Sequence, residues 1–578
     1  MRSAAELDRR DLWIAFAFGI GALALRLGFL FATGDRAWPH SVWYEGDAPV
    51  WLQWARALQA GQPFEFDLPL RAPGVAFALA WLGDGLEPPF TLLKCAWCAM
   101  SALVVALGYL VLRGELSRRA SCVASALLAT SFSSYALATS LNNETPYLLA
   151  LTLAMALGLW QSERQSFARA ALRGLLHGVG VLLRPEHVFL ALALLALDAW
   201  RARRLERTFL RRRRLAAAIS AVMMFMACLP WMLRSHAASV RFNTLEPRPL
   251  DTASAAVPWS TEALELLRSL PAFAREGNFA LATEEARRAG RTRVELADVE
   301  RYFAQNFGYQ PEPLGVWTLS SAKGKLDLAL ANDLRGDGGF SRAALGDRFD
   351  ADPPFSFARP SHLKLYQHGD AHAFDSVRSD FGAWCALVGR KLAHFANGAT
   401  LGLGARNLPF EFTLVRRPVD LAAPPAEHGL AWRWMLALGA AIGLALAWRR
   451  DVLSAWMLVL VFRVAVTIAF YGYARQGALA APTVLALVAV ALEAGLARIE
   501  RARPGSARVG AWLGAGALVL VAALDVERCA RPPRLQIAPL APSGALAPAP
   551  QWGAGAFESN AALSIREGAS PTASGARR

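Results

Sequence analysis

The sequence predicts an all-α, polytopic membrane protein of about eleven transmembrane helices, with a mixed soluble insertion on the external side. Three observations lead there. Hydrophobic residues make up 54% of the 578 positions, above the roughly 45–50% of a soluble domain. Charged residues fall to 19%, and mean hydropathy is positive at +0.28. Apolar runs long enough to cross a hydrocarbon core also recur along the chain. The same figures exclude a disordered chain, a collagen and a disulfide scaffold. The net charge of +15 invites a nucleic-acid reading, but so apolar a composition argues against it.

The runs fall near 12–33, 89–112, 119–138, 144–160, 214–233, 429–448, 452–471, 477–497 and 509–526. The first follows Arg2, Arg9 and Arg10 and is too long for a signal-peptide core, so it reads as an uncleaved anchor. The stretch 168–200 is too long for one span and short for two. Because proline disfavours helical geometry in the residue before it, two short helices hinged at Arg184-Pro185 are expected there. The positive charge is almost all arginine, with only five lysines. With the alanine content, this suggests a GC-rich bacterial source.

The arginines set the sidedness. With the N-terminus in the cytoplasm, the loops holding Arg113/Arg118/Arg119, Arg164/Arg169/Arg173, Arg201–Arg214, Arg449/Arg450 and Arg498–Arg508 share one face, as the positive-inside rule requires. The expected domains are then a membrane domain over 1–234 with a first external loop at 34–88, an external insertion over 235–428, C-terminal membrane helices over 429–526, and a disordered external tail over 527–578. Residues 376–397 are amphipathic and suit a membrane surface. Cys95-x-x-Cys98 lies inside an apolar span, which favours buried small residues over metal or redox chemistry.

Ionisable groups at membrane depth are costly, so each is a functional candidate. The first external loop carries Glu45 and Asp47 just after a span, then Trp51 and Trp54. A carboxylate there can act as a general base or be a solvated loop acid, and the tryptophans can be a sugar platform or an interfacial belt. Asp67 precedes a Pro/Gly turn and suits either a helper acid or a cap. Asn142-Asn143-Glu144 opens a span, as residues at a helix N-terminus do; Glu144 with Asp47 also leaves a divalent-cation site open. No other cofactor is indicated. Arg184 and Glu186 occupy the hinge, and Arg475 follows Tyr471 and Tyr473 on the last external turn. Two arginines on one face suit a phosphate, with snorkelling or pairing with Glu186 as the competing account. Arg26 fits a snorkelling or internally paired residue, and His187 a helix-end residue. Walker, Rossmann, His-Glu-x-x-His and nucleophile-elbow motifs are all missing from the sequence.

These residues, in this order, resemble the GT-C membrane glycosyltransferases, in the branch of the bacterial aminoarabinose-lipid A transferases, the Rhizobium lipopolysaccharide sugar transferases and the protein O-mannosyltransferases. The resemblance is carried by Arg26; Glu45-Gly46-Asp47 with Trp51 and Ala55–Gly61; Asp67 with Pro69 and Arg71–Gly74; Gly174 to Arg184-Pro185-Glu186; Leu229–Arg234; and Tyr473-Ala474-Arg475 with Pro482. It covers about 10–235 and 380–500 and is poor across the insertion. It implies Asp47 as the base on the acceptor, Asp67 as a second acid, and Arg184, Arg475 and Tyr473 near a lipid-phosphate donor, with Glu144 and Glu186 assisting. Many relatives carry adjacent acids where this chain has Glu45-Gly46-Asp47, so both carboxylates stay candidates. The implied reaction is an inverting transfer from a polyprenyl-phosphate sugar to a lipid, glycan or protein acceptor on the periplasmic face of a bacterial inner membrane. A transporter or flippase is the alternative; it predicts repeated halves, which the sequence does not show. A non-catalytic assembly protein would leave the external acids and arginines dispersed.

Overall fold

The computed structural model describes residues 7–32, 48–61, 70–82, 90–139, 141–159, 166–204, 207–244, 255–270, 272–306, 317–346, 359–400, 430–450 and 453–502, with Leu250, Thr252 and Phe355. Among them the chain is helical. The first nine helices are α1 (Arg9–Ala32), α2 (Ala48–Gln59), α3 (Gly74–Leu82), α4 (Thr91–Arg113), α5 (Arg118–Thr130), α6 (Phe132–Ala138), α7 (Glu144–Leu159), α8 (Phe167–Leu183) and α9 (His187–Arg201). The long α10 (Arg207–Thr244) leads to α11 (Thr261–Arg268), α12 (Ala272–Arg288), α13 (Leu296–Asn306), α14 (Gly324–Ala331) and α15 (Pro360–Ser379). The last four are α16 (Phe381–Thr400), α17 (Leu430–Arg450), α18 (Ser454–Ala469) and α19 (Ala474–Ala502).

Two units result. One holds α1–α9 and α17–α19; the other holds α11–α15; α10 and α16 contribute to both. Among the described residues, four helices are long and apolar enough to cross a membrane: Arg9–Gly28, Thr91–Arg113, Leu210–Val240 and Ala474–Arg501. Three shorter apolar helices, Glu144–Gly158, Arg433–Trp448 and Ser454–Ala469, accompany them. The expected span 119–138 is not one helix. The backbone turns extended at Ser131 and separates α5 from α6. The expected span 509–526 and the tail lie outside the described residues.

In the first unit, α1, α4, α5, α17 and α19 bury a common core of Ala22, Ala102, Val105, Leu127, Leu436, Leu485 and Val488. Large apolar side chains point outward from the same helices: Trp13, Phe16, Trp434, Leu438 and Trp448 are all exposed. An apolar rim around a packed interior is the surface a bilayer solvates, and it makes this a multi-pass membrane protein. At one end of the bundle the helix termini are tied by charge. Asp11 is buried and accepts from Tyr109 (2.8 Å), Arg118 (2.9 Å) and Arg113 (3.3 Å). Asp8 and Asp11 also exchange backbone bonds that cap α1. Arg119 pairs with Glu500, and Glu115 pairs with Arg201 and caps Leu453.

The insertion, expected to mix charged helical patterns with Pro/Gly-rich loops, is helices and loops among its described residues. Its only strand-like pairing there is an isolated bridge between Trp259 and Val294. Trp259 Nε1 donates to Thr283 and the Tyr302 hydroxyl to Asn278, each at 2.9 Å, so side chains rather than a sheet lock this unit.

Small residues allow α17 and α19 to touch. A Cβ built on Gly443 would lie 1.9 Å from the Leu487 carbonyl oxygen, whereas one on Gly439 would sit 3.4 Å from a Val488 methyl. Gly443→Ala must therefore push two backbones apart, at a cost of about 1–3 kcal/mol or more. Gly439→Ala gains helix propensity without a clash. Thermal unfolding in detergent should show a lowered midpoint for the first and an unchanged or raised one for the second; equal effects would mean that these helices do not approach this closely.

Candidate functional site

The site is built at the opposite end of the membrane unit, from three turns. The first is the start of α7. Asn142 caps it: its side-chain oxygen accepts from the Thr145 amide (3.0 Å) and its amide nitrogen donates to the Leu137 carbonyl (2.7 Å). The capping role weighed for Asn142-Asn143-Glu144 thus goes to Asn142, which leaves Glu144 free to face inward. Glu144 is fully buried.

The second turn is the hinge. Arg184 adopts an extended backbone (φ −145°, ψ 108°), the conformation Pro185 imposes on its neighbour, and this ends α8 and starts α9 at His187. The third turn joins α18 to α19. It carries Tyr471 and Tyr473, stacked with ring centroids 5.3 Å apart. Arg475 lies 4.6 Å over the Tyr473 ring.

Charges from the three turns and from α18 converge. Arg184 Nη1 donates to Glu144 Oε1 (2.7 Å), and Arg184 Nε donates to Glu186 Oε1 (2.7 Å). Arg463, inside α18 and fully buried, donates to the same Glu186 oxygen at 2.9 Å. Arg475 Nη1 stands 3.5 Å from Glu144 Oε1. Three guanidiniums thus share two carboxylates, with the second oxygen of Glu144 buried and accepting no hydrogen bond among the described residues. Charges removed from water are tolerated only when paired and hydrogen-bonded, so this network is the reason each of these residues can be buried. It carries one positive charge in excess. Arg475 is the most open of the three arginines, with 12% of its side chain exposed.

The sequence-predicted residues Glu144, Arg184, Glu186, Tyr473 and Arg475 are therefore brought together. Arg184 is not a bare phosphate ligand, because its Nε and Nη1 are held by carboxylates. Glu144 faces two guanidiniums that compete with any cation for its Oε1. No group of three or more His, Cys, Asp or Glu placed to hold a metal ion occurs among the described residues. Glu45, Asp47 and Asp67 lie outside the described residues. Trp51 and Trp54 are buried, which argues against a lipid-facing belt at α2. Arg26 is internal, donating to Ser101 (2.8 Å), Ser134 (2.6 Å) and two helix carbonyls.

Sequence reasoning passed over Arg463, Tyr147 and His177; His187 opens α9, the helix-end place expected for it. Arg463 had a legible signal, as the one charged residue in an otherwise apolar helix. Tyr147 and His177 had none, because their partners come from other helices.

Neutralising Glu144 would leave Arg184 and Arg475 facing an uncharged amide. Glu144→Gln should destabilise the chain by about 3–5 kcal/mol. Glu500→Gln, which breaks only the exposed pair with Arg119, should cost under about 1 kcal/mol. Denaturant unfolding in detergent checks this; equal losses would contradict the buried network.

Residues 73–231 match the family model of the dolichyl-phosphate-mannose-protein mannosyltransferases. No curated protein sequence matches the chain. Among solved structures, the archaeal oligosaccharyltransferase AglB from Archaeoglobus fulgidus, in complex with an inhibitory peptide and a dolichol-phosphate, aligns at 12% identity with a TM-score of 0.43, covering 90% of this chain and 56% of that one. Its apo form aligns at 15% identity, TM-score 0.44, with 90% and 56% covered. ArnT from Cupriavidus metallidurans, bound to undecaprenyl phosphate, aligns at 13% identity and TM-score 0.31, covering 83% of this chain and 79% of that one. The chain thus spans about half the length of the archaeal enzyme. Over residues 73–231, which include Glu144, Arg184 and Glu186, the chain is similar to the dolichyl-phosphate-mannose-protein mannosyltransferase family.

Proposed function

We propose that the chain is an inverting glycosyltransferase that moves a sugar from a polyprenyl-phosphate donor to an acceptor hydroxyl or phosphate, on the periplasmic face of a bacterial inner membrane. The observation that carries this reading is that the segment similar to the mannosyltransferase family supplies Glu144, Arg184 and Glu186, on which Arg463 and Arg475 converge. A net positive, water-poor cluster at the ends of membrane helices suits the phosphate of a lipid whose tail stays in the bilayer.

In this reading Arg475, backed by Tyr473, takes the donor phosphate. Arg184 is held by Glu144 and Glu186 and supports the field from behind. As the acceptor oxygen attacks C1, the C1–O bond to phosphate breaks with its electron pair, and the phosphate gains negative charge. Preorganised guanidiniums stabilise that change without a proton donor, because the leaving phosphate is already acidic. Glycosidases need an acid there because their leaving alkoxide is poor. Asp47 takes the acceptor proton, with Glu45 and Asp67 as the other carboxylates of the same loop. The arginines supply positive charge at the leaving group. The helical unit of α11–α15 is assigned to acceptor choice among lipid, glycan or protein.

The test is a transfer assay on the purified full chain with a polyprenyl-phosphate sugar. Asp47→Asn should lower turnover by about 100-fold or more, with Glu45→Gln and Asp67→Asn affected less. Undiminished turnover in Asp47→Asn would remove it as the base. Movement of the lipid-linked sugar across the bilayer with no transfer by the wild-type chain would favour the flippase reading instead.

A further inference from the structure

Behind the arginine cluster lies a second set of buried polar side chains that the proposed reaction does not use. Arg463 points its Nη2 at the Tyr147 hydroxyl, while its Nη1 holds Glu186. The Tyr147 oxygen is 2.9 Å from His187 Nδ1, and His187 Nε2 is 3.0 Å from His177 Nδ1. Tyr147, His177, His187 and Arg463 are all fully buried. The rings are fitted as well as bonded. Arg463 lies 4.7 Å over the Tyr147 ring, Tyr147 meets His187 edge-on at 5.2 Å, and the two imidazoles stack at 5.3 Å.

Donor and acceptor chemistry gives the row a direction. Arginine can only donate, so the Tyr147 oxygen accepts from Arg463. The Tyr147 proton then goes to His187 Nδ1, which must be the unprotonated nitrogen of that ring. His187 therefore carries its proton on Nε2 and donates it to His177 Nδ1. In this direction the buried His177 Nε2 carries a proton that meets no acceptor among the described residues; run the other way, His177 Nε2 would be an unmet acceptor and the Tyr147 proton would also be unmet, two unmet groups instead of one.

A separate observation shows that the backbone is shaped around this row. A Cβ built on Gly180 would fall 2.5 Å from His187 Cδ2 and 2.8 Å from its Nε2. The His187 ring is pinned at both nitrogens and cannot swing aside without breaking the chain of bonds. Glycine at 180 is what admits the imidazole between α8 and the Tyr147 hydroxyl.

We propose that Tyr147, His187 and His177 form a one-directional hydrogen-bond relay that positions Arg463 against Glu186, and through Glu186, Arg184 and Glu144 sets the geometry of Arg475, which takes the donor phosphate. These are positioning residues, since none reaches the reacting atoms. The proposal rests on the reading of the cluster as the phosphate site, and the experiment separates the two.

The full-length chain in detergent is titrated with undecaprenyl phosphate, and transfer kinetics and lipid-free thermal unfolding are measured in parallel. Tyr147→Phe keeps the ring under Arg463 and deletes only the hydroxyl. It should weaken binding about tenfold and raise the donor KM in step, with kcat at saturating donor changed less than about threefold. His187→Leu and Gly180→Ala should weaken binding at least as much. His187→Asn, whose side-chain oxygen can stand where Nδ1 accepts from Tyr147, should recover most of the affinity. Arg475→Ala tests the underlying reading. If it leaves lipid-phosphate binding unchanged, the phosphate site itself is wrong. If Arg475→Ala abolishes binding while Tyr147→Phe shifts only the unfolding midpoint, the relay is overturned and the row is merely structural. Should His187→Leu fail to fold, Tyr147→Phe and its KM-against-kcat split decide the matter.

Discussion

The described membrane unit depends on one arrangement: two carboxylates, Glu144 and Glu186, shared among three guanidiniums in a place almost without water. Each partner alone would be prohibitive at that depth, because the desolvation of an ion exceeds what a single contact returns. Together they fasten the start of α7, the α8–α9 hinge, the middle of α18 and the start of α19 to one another. No comparable set of apolar contacts would fix those four elements in angle as well as in distance, because apolar packing has no directional bonds. Arg184 does this most clearly: its fork spans from one turn to the next, donating to both carboxylates through different nitrogens.

The local backbone serves that arrangement. Pro185 forces Arg184 out of the helix, which puts the guanidinium at a helix end instead of along a lipid-facing side. Asn142 takes over the capping of α7 and leaves Glu144 for the arginines. The aromatic pair Tyr471 and Tyr473 gives Arg475 a face to lie on, a contact that guanidinium makes well and ammonium less well. At the other end of the bundle, Asp11, Glu115 and Glu500 tie basic loops to helix ends, so that charge closes the unit at both ends while apolar packing fills the middle.

Much of this was legible in the sequence because it is local. Proline geometry placed the hinge, the arginine distribution grouped the loops, and the rule that ionisable groups at membrane depth need a reason picked out Glu144, Arg184, Glu186 and Arg475. What escaped the sequence is what depends on partners from distant helices. Tyr147 and His177 sit in apolar helices and look like core residues until α9 and α18 are laid beside them. Arg463 was the exception: a lone charge in an apolar helix was visible and was passed over. The break at Ser131 was hidden because Thr130-Ser131-Phe132 carries neither proline nor glycine.

The central claim is that this charge cluster receives the phosphate of a polyprenyl lipid. A cryo-electron microscopy map of the full chain with undecaprenyl phosphate tests it most directly. The account predicts density for the phosphate within about 3 Å of the Arg475 guanidinium, with Arg184 still bound to Glu144 and Glu186 behind it. A well-ordered lipid phosphate elsewhere, with Arg475 still turned toward Glu144, would contradict it.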